Sequence, residues 1–181
     1  MKTYIAILRG INVGGRNLVR MNELKAYLKT LNFINIQTYI QSGNVIFEYN
    51  SVDTHELQRQ IGDLIMEKYG YKVSVIVKTI SELSQVLTHN PFINTRNEDI
   101  KKLHVTFLSK VPDAKLLDGF LRIQNPPDEY IYTDDVIYLF CPNGYGRTKF
   151  TNNFIENKLD VQATTRNWKT TKKLFDLVTD I

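Results

Sequence analysis

The predicted helices and strands follow the same order twice along this chain of 181 residues, which limits the folds it can adopt. Alternating apolar residues predict strands, and apolar residues at helical spacing predict helices. In the first half we predict a strand at 3–8, a helix at 21–31, strands at 35–41 and 44–49, a helix at 53–69, a strand at 73–78 and a helix opened by Thr79. In the second half we predict a strand at 103–109, a helix at 113–123, strands at 129–133 and 136–141, a helix at 151–159, a strand at 161–165 and a helix at 167–180.

Each half therefore has the order βαββαβ followed by one more helix, which is the ferredoxin-like order. We predict an α+β protein of two ferredoxin-like halves packed together, with the first half at 1–90, a connector at 91–102 and the second half at 103–181. The halves also align by residue, because 39–47 matches 130–138 without a gap. This agreement favours an internal duplication over chance similarity of short strands.

The composition, with 43% hydrophobic and 23% charged residues, indicates an ordinary soluble globular protein. No apolar run approaches the ~20 residues that span a bilayer, and the first residues lead into a strand without a signal-peptide pattern. We therefore predict a cytoplasmic protein with no membrane contact. The single cysteine, Cys141, excludes an internal disulfide and a thiol metal cluster, and it is predicted to be a buried packing residue.

The segment 9–20, between the first strand and the first helix, carries three arginines, three glycines and no acidic residue. The corresponding connection in the second half is only 109–112, so the fold itself does not require the longer loop. Loops without a packing role are where binding sites concentrate, and arginine combined with glycine backbone suits an anion. We predict that this loop forms an anion site.

The hairpin turn at 42–44 is expected to face this loop, because the end of the first strand and this turn share one edge in a βαββαβ unit. The arginines would supply charge, Gly14 and Gly15 would turn backbone N–H groups inward, and Asn12 and Asn44 would orient the ligand. The predicted ligand-binding residues are Arg9, Gly10, Asn12, Gly14, Gly15, Arg16, Asn17, Arg20, Ser42, Gly43 and Asn44.

The net charge of +4 is unevenly distributed. Residues 9–20 contribute +3, and residues 145–173, with seven basic and two acidic side chains, contribute +5. This distribution suits an anionic partner, although a solvated basic helix face also explains the second segment.

Several familiar sites do not fit the sequence. Gly10 and Gly15 have the spacing of a P-loop, but Arg16 and Asn17 stand where its lysine and hydroxyl belong. The dinucleotide fingerprint is absent. The three histidines show no ligand spacing, so we predict no metal and no cofactor.

An RNA-binding sheet surface is also disfavoured. The strand at 45–49 lacks the Lys/Arg-Gly-Phe/Tyr signature of RNA-binding sheets. The strand at 4–8 is apolar on both faces, which predicts that both sides of its sheet are covered. Nucleic-acid binding through the basic loops remains open.

Three stretches of the sequence are distinctive: LRGINVGG at 8–15, TYIQSGNVIF at 38–47 and ATTRNW at 163–168. In this order they resemble the domain-of-unknown-function family 1697. The resemblance implies an uncharacterised, mainly bacterial protein built from ferredoxin-like halves, and it supplies no activity or catalytic residue. It also points to a second candidate site at Arg166, Asn167 and Trp168.

The residue types in this second region are also those expected at the start of a helix. Asn167 is predicted to cap the last helix, Trp168 to begin the apolar face of that helix, and Arg166 to lie just before it. This cap and core interpretation is favoured over ligand binding.

No acid–base pair or nucleophile emerges, so catalytic residues are not predicted. The favoured hypothesis is an anion-binding or regulatory module for a phosphorylated small molecule or a nucleic acid. The alternatives are an enzyme that acts on a small anion by arginine charge stabilisation, and a protein-interaction module with an unidentified partner.

Overall fold

The computed structural model describes residues 1–179 as a mixture of helices and antiparallel strands. The strands are β1 Lys2–Arg9, β2 Ile34–Tyr39, β3 Asn44–Tyr49, β4 Ser74–Thr79, β5 Leu103–Leu108, β6 Glu129–Thr133, β7 Val136–Phe140 and β8 Ala163–Asn167. The helices are α1 Met21–Lys29, α2 Thr54–Tyr69, α3 Ile80–Thr88, α4 Pro91–Asn94, α5 Ala114–Leu121, α6 Asn152–Leu159 and α7 Trp168–Thr179. Each described helix is too short or too polar to cross a membrane.

The chain divides into two compact units, each built around one four-stranded sheet. Among the described residues, the first unit comprises 1–84 and 174–179, and the second comprises Gln85–Lys173. The strand order is β2-β3-β1-β4 in the first sheet and β6-β7-β5-β8 in the second, and all neighbours are antiparallel. This is the ferredoxin-like order, so the prediction of two ferredoxin-like halves is confirmed.

The core of the first unit lies between its sheet and the helices α1 and α2. The central strand β1 is buried from Tyr4 to Leu8, as its apolar run predicts. Leu24 of α1 and Ile61 of α2 are fully buried in the same cluster. This packing holds the end of β1, from which the predicted site begins.

The second unit repeats this arrangement with α5 and α6. Phe150 is fully buried and packs edge-on against Tyr130, with ring centroids 4.7 Å apart. Tyr130 also donates a hydrogen bond from its hydroxyl to the Phe120 carbonyl at 2.7 Å. Aromatic contacts therefore join β6 to α5 and to the segment before α6.

Helix boundaries follow the local signals in the sequence. Asp53 caps α2 by accepting a hydrogen bond from the His55 N–H at 2.6 Å, and Gly70 ends α2 with a left-handed φ of 77°. Thr79 and Glu82 form a reciprocal capping box, with backbone-to-side-chain distances of 2.7 and 3.3 Å. The predicted helix after 53 and the helix opened by Thr79 are therefore confirmed.

The last strand begins two residues later than predicted, at Ala163 rather than at 161. Asp160 ends α6 in the left-handed conformation, and Val161 is buried in the core before the strand ladder starts opposite Leu108. As a result, the strand extends to Asn167, and Arg166 lies within β8, just before the residue that caps the last helix.

The gap-free alignment of the two halves is wrong by one residue at the hairpin. The Leu8 N–H donates to the Gly43 carbonyl at 2.8 Å, and the Leu108 N–H donates to the Asp135 carbonyl at 2.9 Å. Gly43 therefore corresponds to Asp135 and not to Asp134. The turn at 40–43 is two residues longer than the turn at 134–135. The loop at 9–20 is also longer than its counterpart, and both of these longer connections lie at the same edge of the first unit's sheet.

Candidate functional site

Residues 12–17 form a small β-hairpin that follows the end of β1. Val13 and Arg16 pair as an antiparallel bridge, in which the Arg16 N–H donates to the Val13 carbonyl at 3.0 Å. The Asn12 N–H donates to the Asn17 carbonyl at 3.1 Å. Cross-strand partners point to the same face of a hairpin, so the side chains of Val13 and Arg16 lie together.

Two glycines form the tip of this hairpin. Gly14 and Gly15 have φ values of 57° and 74°, the left-handed pair that a type I′ turn requires. No atom lies within 4 Å of a Cβ built at either position, so the tip is open. The turn accounts for these glycines, and the open space lets another molecule approach their backbone closely.

The side chain of Asn12 fastens the hairpin to its surroundings. Its Oδ1 accepts from the Val19 N–H at 2.8 Å, and its Nδ2 donates to the carbonyls of Val19 and Gln41 at 2.9 and 2.8 Å. Asn17 acts in the same way, since its Nδ2 donates to the Gly10 carbonyl at 3.0 Å. These amides hold the loop, and Asn12 has no amide hydrogen left for a ligand unless one of these bonds breaks.

Apolar contacts fix the loop on both sides of the hairpin. Ile11 and Val19 are each only 1% exposed and belong to the core of the first unit. The Tyr71 hydroxyl also donates to the Leu18 carbonyl. The loop is therefore a built structure with a buried base.

The turn between β2 and β3 packs against this base, so the predicted proximity of the loop and the turn is confirmed. Gly43 has a φ of 84° and lies so close to Ile11 that a Cβ would be 2.5 Å from Ile11 Cδ1. Asn44 is fully buried, and its Nδ2 donates to the Tyr39 carbonyl at 3.0 Å. Ser42 is half-buried, with its Oγ 3.5 Å from the Asn44 Nδ2. The turn therefore packs against the buried base of the loop at 9–20.

The three arginines of the loop differ in their exposure. Arg9 is half-buried at the end of β1, whereas Arg16 and Arg20 are exposed. The Arg20 side chain is 84% exposed and pairs with Glu23 at 3.0 Å, an ion pair that solvent weakens. Gly10, between β1 and the hairpin, is exposed with a φ of 70°.

Large apolar side chains are exposed on the same edge. Val13 and Leu18 are 63% and 64% exposed, and Ile40 of the adjoining turn is 45% exposed. We define the loop edge as residues 9–20 and 40–44. Cations beside exposed apolar groups are typical of surfaces that contact other macromolecules.

The family described as Protein of unknown function (DUF1697) matches residues 1–138 of this chain. The chain belongs to this family. Among solved structures, a conserved bacterial protein from Streptococcus pneumoniae is similar over 97% of both chains, with 23% sequence identity and a TM-score of 0.77. That similarity shows a shared fold. No curated protein matches the sequence.

The DUF1697 match includes the whole loop edge and ends before the second candidate region. Arg166 is buried in β8, where its Nη1 donates to the Thr164 hydroxyl at 3.1 Å and to the Thr165 carbonyl at 3.0 Å. Burial lowers the pKa of Arg166 to about 10. Asn167 accepts from the Thr170 N–H at 2.7 Å, and Trp168 is buried, as the cap and core interpretation predicts.

A polar cluster in the second unit has no counterpart among the residues predicted from the sequence. His104 stacks on Tyr145 with ring centroids 5.0 Å apart, and the Tyr145 hydroxyl donates to the Thr165 hydroxyl at 3.1 Å. Thr165 in turn donates to Asn152 Oδ1 at 2.7 Å. The His104 Nδ1 is buried without a hydrogen-bond partner. Only the three-dimensional fold brings these residues together, so sequence spacing gave no signal for them.

His104 makes the stability of the protein pH-dependent. Burial lowers the pKa of His104. Below the ordinary histidine pKa of about 6.5, the unfolded chain therefore binds a proton that the folded chain resists, and the free energy of unfolding falls as the pH falls. We expect His104→Phe, which keeps a ring against Tyr145, to reduce this fall by less than about 1 kcal/mol, because solvent screens part of the effect.

Urea unfolding at about pH 7.5 and about pH 5.5, on either side of the ordinary histidine pKa, measures this effect. All other titratable residues are the same in both proteins, so the comparison isolates His104. An identical pH dependence in the variant would show that the environment of His104 does not disfavour its protonation.

Cys141 is fully buried, as predicted. Burial raises the pKa of its thiol to about 11, with a smaller contribution from Asp128, so the thiolate is scarce at neutral pH. Within residues 1–179, the His, Cys, Asp and Glu side chains form no group of three that could hold a metal ion.

Proposed function

We propose that this protein binds the phosphate backbone of a nucleic acid through its loop edge. The observation that carries this proposal is the preformed, open hairpin at 12–17, whose exposed Arg16 stands beside a glycine tip that no other residue covers. Arg20 is exposed next to it, and the whole segment 9–20 lacks an acidic residue. Arginine offers phosphate a fork of N–H donors and a permanent charge.

The openness of this edge favours a polymer over a small phosphorylated molecule. Sites for small ligands are concave and bury most of the ligand surface. Residues 13–16 are instead exposed together, so they provide a projection and not a wall. A nucleic-acid backbone presents repeated phosphates that such a projection contacts one after another.

Anchoring of the hairpin supports the same conclusion energetically. The loop is held by the Asn12 hydrogen bonds and by buried Ile11 and Val19, so little loop order has to be gained on binding. Binding by a preorganised surface loses less conformational entropy than binding by a mobile loop.

Salt dependence of binding tests this function. We expect labelled single-stranded RNA or DNA to bind with an affinity that falls with log salt at a slope of about −2 to −3, as for about three to four phosphate contacts on a single strand. Arg16→Ala should reduce the magnitude of the slope by about 0.7, the contribution of one phosphate contact on a single strand. Fluorescence anisotropy across a salt series measures both quantities.

Arg59→Ala provides the matched control, because Arg59 is an exposed arginine on α2 and lies outside the loop edge. It should leave the slope unchanged within error. A flat salt response of the wild-type protein, or equal slopes for Arg16→Ala and wild type, would remove the basis for nucleic-acid binding at this site.

A protein partner is the second candidate, because Val13, Leu18 and Ile40 expose apolar surface that phosphate contacts do not use. A partner protein would cover these side chains, and its binding would depend weakly on salt. Val13→Ser separates the two functions: it should weaken a protein complex and leave the salt slope for nucleic acid intact.

A further inference from the structure

A groove of about 790 Å³ runs along the outer edge of the second unit's sheet. β6 lies at the end of the strand order, and every residue from Asp128 to Tyr132 lines the groove. Successive side chains of a strand point to opposite faces of its sheet. A groove lined by all of them therefore follows the edge of β6 itself.

The register of the sheet shows which backbone groups of β6 face this groove. Leu108 N–H donates to the Asp135 carbonyl and Cys141 N–H to the Lys102 carbonyl, so the odd-numbered positions 135 and 141 bond toward β5. Ile137 and Leu139 lie between these two positions and are also odd-numbered, so their backbone groups bond toward β5 as well. Its positions 136, 138 and 140 therefore bond to Thr133, Ile131 and Glu129 of β6.

The intervening residues of β6, Tyr130 and Tyr132, consequently direct their N–H and C=O groups away from β7. Among the described strands, β6 has a neighbour on one side only. These two residues offer two donors and two acceptors at the spacing of a β-ladder, which is what an added strand requires.

Beyond β6 the groove is lined by an apolar wall that Gln124 interrupts. Leu121 at the end of α5 is 49% exposed, and Ile123, Pro126 and Pro127 continue the wall. Proline has no N–H, so Pro126 and Pro127 do not compete for the backbone bonds of an entering strand. Apolar side chains at alternate positions of that strand would pack against this wall.

Acidic residues flank the edge at both ends. Glu129 lies at the start of β6 beside the buried Asp128, whose Oδ2 accepts from the Asn125 Nδ2 at 3.2 Å, and Asp134 and Asp135 follow the end of β6. Arg96 joins Glu129 to Glu98 at 2.6 Å each, which places one positive charge between two negative ones. The ends of the groove therefore favour a positively charged occupant.

The same charges disfavour a second copy of this chain. Antiparallel pairing of two β6 strands would bring the acidic start of one against the acidic end of the other. Parallel pairing would align identical carboxylates. Like charges directly opposite each other destabilise a strand pair.

We propose that this groove binds an extended segment of another protein, with alternating apolar residues between basic ends, as an added strand beside β6. Backbone bonds from Tyr130 and Tyr132 set its register, the apolar wall takes its alternate side chains, and the flanking carboxylates attract its lysines or arginines. This site is in the second unit and is independent of the loop edge.

A synthetic peptide tests the proposal on the full chain. The probe is a fluorescein-labelled peptide of alternating valine and threonine with a pair of lysines at each end, and the comparison peptide carries glutamates in place of the lysines. We expect the lysine peptide to bind at least about tenfold more tightly. It should also slow hydrogen exchange at the amides of Tyr130 and Tyr132. Equal binding of both peptides, or unchanged exchange at both amides, would overturn the proposal.

Tyr132→Pro removes one outward N–H and no bond to β7, and it also removes a ring that packs against the core, a loss that Tyr132→Ala shares. We expect it to weaken lysine-peptide binding at least about tenfold, while Tyr132→Ala, which keeps the N–H, weakens it less. Far-ultraviolet circular dichroism and urea unfolding establish that both variants fold. Equal affinities of two folded variants would overturn the added-strand geometry.

If the Tyr132→Pro variant does not fold, Asp134→Asn tests the proposal instead. Asp134 has a φ of 52°, a conformation that asparagine tolerates, so only the charge changes. It should weaken lysine-peptide binding, and Asp118→Asn on the exposed surface of α5 should not. Sedimentation completes the test: a wild-type dimer that Asp134→Asn strengthens would identify a second copy as the occupant and overturn the proposal.

Discussion

Gly43→Ala is expected to lower the free energy of unfolding by about 2 to 4 kcal/mol, although it adds a single methyl group. Its Cβ would lie 2.5 Å from Ile11 Cδ1 and 2.9 Å from Leu8 Cβ. Leu8 is in the central strand and fully buried, so it cannot move aside. The left-handed φ of 84° adds a conformational cost. Urea unfolding monitored by circular dichroism measures the loss.

Gly10→Ala is the matched control for this change. Gly10 has a φ of 70°, but no atom lies within 4 Å of its Cβ position. It should cost about 1 kcal/mol, which is the conformational part alone. Equal losses for the two variants would mean that the contact between the turn and Ile11 carries no packing energy.

The fold was predictable because its signals are local and repeated. Helical spacing in α1 and α2, the capping residues Asp53 and Thr79, and Gly70 are short-range features that the structure keeps. The hairpin alignment failed because it assumed turns of equal length. The sequence places Gly43 and Asp134 in similar surroundings, whereas the strand ladder, which is set by pairing with β1 and β5, equates Gly43 with Asp135.

The location of the candidate site was predictable for a topological reason, and its internal geometry was not. Strand order alone brings the turn at 40–43 to the end of β1. The bonds that Asn12 makes depend on the loop conformation, and composition does not determine that conformation. Likewise, the groove beside β6 and the cluster around His104 combine residues that are distant in sequence and carry no shared motif.

Asn12→Ala is expected to destabilise the loop edge by about 2 to 4 kcal/mol. It removes hydrogen bonds to the Val19 N–H, the Val19 carbonyl and the Gln41 carbonyl, each worth about 1 kcal/mol. Val19 is 1% exposed, so its N–H would lose its partner in a buried place. Asn12 also has a φ of 55°, which asparagine adopts more readily than alanine.

Hydrogen exchange shows which backbone amides lose protection when the Asn12 hydrogen bonds are removed. If the loop opens separately from the core, amides at 10–20 should exchange faster in Asn12→Ala while amides of β1 keep their protection. Asn17→Ala is the control, because Asn17 has a similar φ of 49° and makes one side-chain bond, to Gly10. It should cost less, about 1 to 2 kcal/mol.

The same pair of variants shows whether the preformed hairpin matters for function. Both keep Arg9, Arg16 and Arg20, so the charge available to phosphate is unchanged. If the hairpin must be ordered before it binds, Asn12→Ala weakens nucleic-acid binding without changing the salt slope, since the number of phosphate contacts stays the same. Undiminished affinity of a variant whose loop exchanges rapidly would instead mean that the arginines act as mobile charges, and the geometry of the Gly14 and Gly15 turn would then have no part in recognition.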